Sequence, residues 1–271
     1  MNKILLFFCL IISFNIFAKQ TLTVYTYDSF VSEWGPGPQI KDKFETLCNC
    51  ELNFVAVDSA ASMLSKIILE GKSTKADILL GIDMNLIEQA KKTNLFDKHP
   101  FENLNEILFM PIEWQDDIFV PFDYGYFAFV YNHNKITNPP KSMEELINRN
   151  DISIVIQDPR TSTVGLGLLT WIKSLYGNQS SKTWNKLSKK IVTVTKGWSD
   201  AYYNIFLTGE ADMVLSYTTS PAAHIMFEND RSFKADSFKE GNYITIEVAA
   251  KLKDSQHIEL ANMFLEFMLT D

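Results

Sequence analysis

The sequence predicts an α/β fold of two lobes joined by two β crossings, with a ligand cleft between the lobes. Three observations predict it. Short β-rich runs alternate with helical patterns, first over residues 21–93 and again over residues 140–216, as in a layered α/β protein. An aromatic β run over residues 119–132 (F-V-P-F-D-Y-G-Y-F-A-F-V-Y-N) is too long for one ordinary strand and reads as a crossing into the second lobe. A further run over residues 243–250 (Y-I-T-I-E-V-A-A) reads as the crossing back.

The elements follow in chain order. Residues 21–26 (T-L-T-V-Y-T) form a first strand, followed by a helix around 39–47, a second strand at 51–57 and a helix at 61–70. Residues 76–81 (A-D-I-L-L-G) read as a buried third strand, and 85–93 as a helix ending near Asn94. Strand, helix, strand, helix, strand implies a parallel sheet. In the second lobe, helices are expected at 140–148, 167–175, 183–189 and 202–208, and strands at 152–156, 191–194 and 212–216. Residues 256–268 form an amphipathic helix that begins to rebuild the first lobe. Lobe one therefore comprises residues 19–122 with 244–271, and lobe two residues 123–243.

The chain's address comes from its first residues. Lys3 precedes an apolar stretch over 4–17, broken only by Ser13 and Asn15 and followed by Ala18. This predicts a secretory signal peptide over residues 1–18. The stretch is short of the roughly 20 apolar residues that span a bilayer. Cys9 lies inside it, out of context for lipid attachment, so an exported, soluble protein is expected. Cys48 and Cys50 then remain, and two readings stay open: a bridge closed across one residue, or two buried thiols. His99, His133, His224 and His257 are scattered, as surface or satisfied core histidines are, and C-x-C alone makes no metal site. With 46% hydrophobic and 21% charged residues the composition is that of a folded globular protein. A net charge of −8 argues against nucleic acid as a partner and permits a cationic ligand.

At three places a strand ends in a polar, aromatic-bearing loop before a helix, where an α/β sheet meets its ligand. They are Y-T-Y-D-S-F (25–30) with W-G-P-G-P (34–38), Q-D-P-R-T-S-T-V-G-L-G (157–167), and S-Y-T-T-S-P-A (216–222). In the last two, the hydroxyls of Ser162, Thr163, Thr218, Thr219 and Ser220 accompany unpaired N–H groups at a helix start, which suits an anion. The plainer reading makes Ser220 an N-cap with Pro221 at the first helical position. Tyr27, Trp34, Trp198, Tyr202, Tyr203 and Tyr217 can stack on a flat ring or pack in the core. Asp28 can offset a positive charge or cap a helix. G-L-G at 165–167 lacks the third glycine of a dinucleotide loop. No G-x-S-x-G, H-E-x-x-H or triad spacing is present, so no enzyme is predicted.

These segments, with C-N-C-E-L, F-V-P-F-D-Y-G-Y-F-A-F-V-Y and T-V-T-K-G-W-S, closely resemble the thiamine-binding periplasmic proteins of bacterial ABC importers, from residue 19 to 271. The resemblance implies a type 2 periplasmic-binding-protein fold, in a group that also includes ferric, polyamine and sulfate receptors. It implies thiamine, thiamine monophosphate and thiamine diphosphate as transported ligands rather than cofactors, and an ABC permease in the inner membrane as partner. The family's phosphate-side contacts match Ser162, Thr163 and Tyr217 through Ser220, and its tryptophan after K-G matches Trp198. Tyr27, Asp28 and Trp34 are added from position and chemistry. Two departures stand out. Where family members can carry Asp-Gly after strand two, this chain has Asp58-Ser59-Ala60, so a contact there is expected to be lost or shifted to Ser59 or Ala60. The family's chain also continues past the helix over 256–268 with helices and an aromatic wall, so a truncated lobe one with exposed apolar surface is expected.

Two alternatives accompany this reading. Tandem Tyr202-Tyr203 prompts a ferric-iron receptor, which needs further ligands from the other lobe. A thiamine-degrading transferase of similar fold needs a cysteine nucleophile in the cleft, and Cys48 and Cys50 precede strand two, at the opposite end.

Overall fold

Every apolar run of the first lobe folds onto one core, and those of the second lobe onto the two faces of another sheet. A computed structural model describes residues 19–270. The predicted signal peptide, residues 1–18, lies outside the described residues. The first lobe begins with β1 (Thr21–Tyr27), α1 (Asp28–Val31), α2 (Gly37–Cys48), β2 (Glu51–Val57), α3 (Ala60–Glu70), β3 (Ile78–Asp83), α4 (Ile87–Lys92) and α5 (Leu104–Ile107). β4 (Val120–Asn132) leads into α6 (Met143–Asn148), β5 (Ile154–Gln157), α7 (Thr163–Tyr176), α8 (Ser180–Leu187) and β6 (Ile191–Thr195). After a π-helical segment, Asp200–Phe206, come β7 (Met213–Tyr217), α9 (Ser220–Ala223), β8 (Phe233–Ala235), β9 (Ile244–Lys251) and α10 (Ile258–Phe267).

The strands run in the order β2-β1-β3-β9-β4-β7-β5-β6, with β8 on the second half of β4. β1 pairs in parallel with β2 and β3, as the strand–helix alternation predicts. The lobe-one sheet is nevertheless mixed, because β9 enters antiparallel between β3 and β4. The long aromatic run is a single strand of 13 residues shared by both lobes. It pairs with β9 from Val120 to Tyr126, then with β7 from Phe127 to Tyr131. Side chains alternate across a strand, so Phe127, Phe129 and Tyr131 pack with Met143 and Trp171 on one face. Val130 packs with Val155, Val214, Tyr202 and Phe206 on the other. In lobe one, α2 and α10 meet through Phe44 and Phe264, whose rings cross edge to face at 5.0 Å.

Two expectations are corrected. α7 begins at Thr163, four residues before the expected start at 167. Glycine disfavours helices, but a Cβ on Gly165 would lie 2.3 Å from the Gln157 carbonyl oxygen. The helix start is pressed onto the end of β5, and this close approach outweighs propensity. The segment expected as a helix at 202–208 is a π-helix two residues earlier. Of the two readings open for Cys48 and Cys50, the structure has the bridge, at the end of α2 and before β2. Among the described residues no helix is long and apolar enough to cross a membrane.

Candidate functional site

The carboxyl ends of β1, β2, β5 and β7, with the adjoining parts of β4 and β9, open onto one cavity of about 430 Å³. Of the residues singled out in the sequence, Tyr27, Asp28, Trp34, Ser59, Ala60, Ser162, Thr163, Trp198, Tyr217, Thr219 and Ser220 line it. Thr218 does not: it is exposed, and its N–H donates to the Tyr126 carbonyl at 2.9 Å, extending the ladder between β4 and β7.

The wall is aromatic. The Trp198 indole stacks on Tyr202 with centroids 4.8 Å apart, and Trp34 of lobe one lies 6.1 Å from Trp198 and 5.7 Å from Tyr203. Trp198 is held from behind, because its Nε1–H donates to Ser216 Oγ at 2.7 Å. The Ser216 hydroxyl bonds that of Ser220 at 2.7 Å, and Ser220 Oγ accepts from Tyr217 N–H at 3.3 Å. Ser220 is therefore the first residue of α9 rather than its N-cap, a place taken by Thr219. The hydroxyl of Ser220 fixes Trp198 and the turn after β7. Ser162 occupies the N-cap of α7 without a capping bond from its side chain, so the hydroxyl is available in the cleft beside the helix N–H groups.

Tyr202 lines the same cavity together with Tyr203, His224 and Glu228. Its hydroxyl bonds His224 Nε2 at 3.0 Å, and His224 Nδ1 bonds Glu228 at 2.7 Å. Among the described residues no group of three His, Cys, Asp or Glu side chains is spaced to hold a metal. The bridged Cys48 and Cys50 do not line the cavity.

The floor contains residues the sequence reading missed. Strand register places Asp83 of β3 opposite Glu247 of β9, and Glu247 opposite Asp123 of β4. The Tyr27 hydroxyl donates to Glu247 Oε2 at 2.8 Å. Burial, then the neighbouring Asp123 charge, push the Glu247 carboxyl up to about 8. Burial also pushes Asp83 up to about 6, against hydrogen bonds led by that of Asn85, and raises Asp123. A signal was present in the sequence: one carboxylate inside an apolar strand, as in I-L-L-G-I-D and I-T-I-E-V-A-A, is an uncommon placement. Gly81 seats Tyr27 over this floor. It has φ +100°, and a Cβ there would lie 2.3 Å from the Tyr27 ring.

Aspartate and glutamate line the cavity at Asp28, Asp58, Asp123, Glu228 and Glu247, while no lysine or arginine among the described residues does. Such a cleft can enclose a flat cationic ring between indoles and phenols, with an anionic group directed at the start of α7.

Known proteins resemble this chain along most of its length. Residues 73–271 match the family described as bacterial extracellular solute-binding protein. The thiamine-binding periplasmic protein of Escherichia coli (strain K12) is 52% identical over 256 residues, covering 94% of this chain and 77% of the relative. That of Salmonella typhimurium is 53% identical over 255 residues, with shares of 94% and 77%. A solved structure titled periplasmic thiamin binding protein superimposes with a TM-score of 0.90 at 52% identity, covering 93% of this chain and 79% of that one.

Proposed function

This chain belongs to the bacterial extracellular solute-binding proteins, among the relatives of the thiamine-binding periplasmic proteins, and from that premise we propose that it captures thiamine, thiamine monophosphate and thiamine diphosphate for an ABC permease of the inner membrane. The observation that carries the reading is the charge and shape of the cleft: an aromatic wall, five lining carboxylates, and no lining lysine or arginine among the described residues. Thiamine's thiazolium ring is a flat cation, and a desolvated indole or phenol face adds roughly 0.5–2 kcal/mol to holding one. The carboxyls of Asp123 and Glu247 beneath it, raised by burial, supply the counter-charge by giving up protons as the cation binds. The phosphate esters extend toward Ser162, Thr163, Thr219 and Ser220, where hydroxyls and the α7 N–H groups replace the basic side chains the cleft lacks.

Capture is a closure of two lobes about β4 and β9, favoured by a ligand that touches both. Trp34, Tyr27 and Glu247 approach it from lobe one, and Trp198 and Ser162 from lobe two. No bond is made or broken and no cofactor takes part; thiamine is cargo. Titration calorimetry on the chain from residue 19 to 271 tests the reading. Micromolar or tighter binding of thiamine is expected, weakened about tenfold by Trp198→Ala. A folded chain that gives no heat with thiamine or either phosphate ester overturns it.

A further inference from the structure

The segments that close the cleft at its mouth touch directly, lobe to lobe. On the lobe-two side two loops are tied into one block: Asp158 N–H donates to the Thr195 carbonyl at 2.8 Å, and the Thr161 hydroxyl to the Lys196 carbonyl at 2.7 Å. This block faces residues 58–60 at the carboxyl end of β2. Across the gap the Ser59 hydroxyl donates to the Thr161 carbonyl, and the Lys196 ammonium pairs with the Asp58 carboxylate. Nearby, the Ser199 hydroxyl lies 3.4 Å from Asp28 Oδ1. Ser59 is buried, and its hydroxyl also accepts from Ser62 N–H at 3.2 Å as the N-cap of α3. One side chain thus fixes the helix start in lobe one and reaches the backbone of lobe two.

We propose that these contacts form a latch, with Ser59 and Lys196 as positioning residues, which stabilises the closed lobes independently of any ligand and sets the rate at which the cleft reopens. Each of its bonds joins protein to protein. Contacts that exist only in the closed form shift the equilibrium toward it, and breaking them precedes release. The two parts differ in kind. The bond from Ser59 is shielded, whereas Asp58 and Lys196 are each 63% exposed, so their pairing is weak and salt-sensitive.

Ser59→Gly separates the latch from the cap, since glycine serves nearly as well as an N-cap but has no hydroxyl to offer Thr161. In the ligand-free chain, small-angle X-ray scattering of the double variant Ser59→Gly, Lys196→Ala should give a larger radius of gyration than the parent while the chain still unfolds in one cooperative transition. With thiamine as probe, stopped-flow tryptophan fluorescence should show dissociation faster by roughly twofold for Lys196→Ala, a residue outside the cavity lining. Association should not slow, whereas a damaged site would slow it or lose amplitude. Added salt should speed dissociation from the parent and leave Lys196→Ala unaffected. A double variant with the parent's radius and the parent's dissociation rate overturns the latch. Thiamine failing to bind the parent overturns the ligand assignment instead, and the scattering comparison still decides the latch.

Discussion

The floor of the cleft and its mouth both contain carboxylates, yet the two sets have different consequences. At the floor, Asp83, Asp123 and Glu247 stand side by side on paired strands, with burial as the leading influence on each. At the mouth, Asp58 sits on a loop facing a lysine of the other lobe, with 63% of both side chains in solvent. Charge in a desolvated place interacts several times more strongly than in water. The floor therefore couples to protonation and to the ligand's charge, and the mouth couples mainly to the position of the lobes.

The largest effect is expected from the scaffold of the floor. Gly81→Ala forces a side chain onto a backbone at φ +100° and into the Tyr27 ring. The two strains together should lower unfolding stability by about 2–4 kcal/mol, measured by urea denaturation. Thiamine binding should weaken with it, because Tyr27 moves off Glu247. A variant as stable as the parent would mean that the floor yields easily and is not the rigid side of the comparison.

Protonation gives the next effect. Glu247 at about 8, Asp83 at about 6 and, in lobe two, Asp236 at about 7 are all raised chiefly by burial. In the unfolded chain such carboxyls titrate near 4. The folded state thus binds protons that the unfolded state has released. The stability these groups contribute is fully present below about pH 4 and is lost as pH rises through 6 to 8. The ligand-free melting temperature should fall by roughly 10 °C or more between pH 5.5 and pH 8.5. Glu247→Gln should flatten the upper part of that fall, and a melting temperature that rises across the window would contradict the buried floor.

How much of this was legible in the sequence follows the same division. The loops of the cleft were legible because each is local: a strand ends, and a hydroxyl, aromatic or acidic residue follows at once, as in Y-T-Y-D or S-Y-T-T-S. Their convergence follows from the alternation of strand and helix, which also located most strands to within one or two residues. The floor was not legible as a group. Residues 83, 123 and 247 meet only because β9 returns antiparallel between β3 and β4, a pairing across more than a hundred residues that no local pattern encodes. The start of α7 was misplaced for a related reason: Gly165 lowers local helix propensity, while its fit against the end of β5 is a tertiary fact.

The smallest expected effect is on folding at the mouth. Lys196→Ala deletes one partner of an exposed ion pair, and such pairs contribute about 0–1 kcal/mol. Each lobe also has its own core, Leu22 through Phe264 in one and Phe127 through Trp171 in the other, and neither needs the pair. Unfolding stability should therefore change by less than about 0.5 kcal/mol in urea, with or without added salt. The same substitution is expected to speed ligand release, because opening the lobes breaks the latch without breaking either core. A loss of several kcal/mol from Lys196→Ala would place the mouth within the folding unit and erase the distinction between a strand-built floor and a loop-built closure.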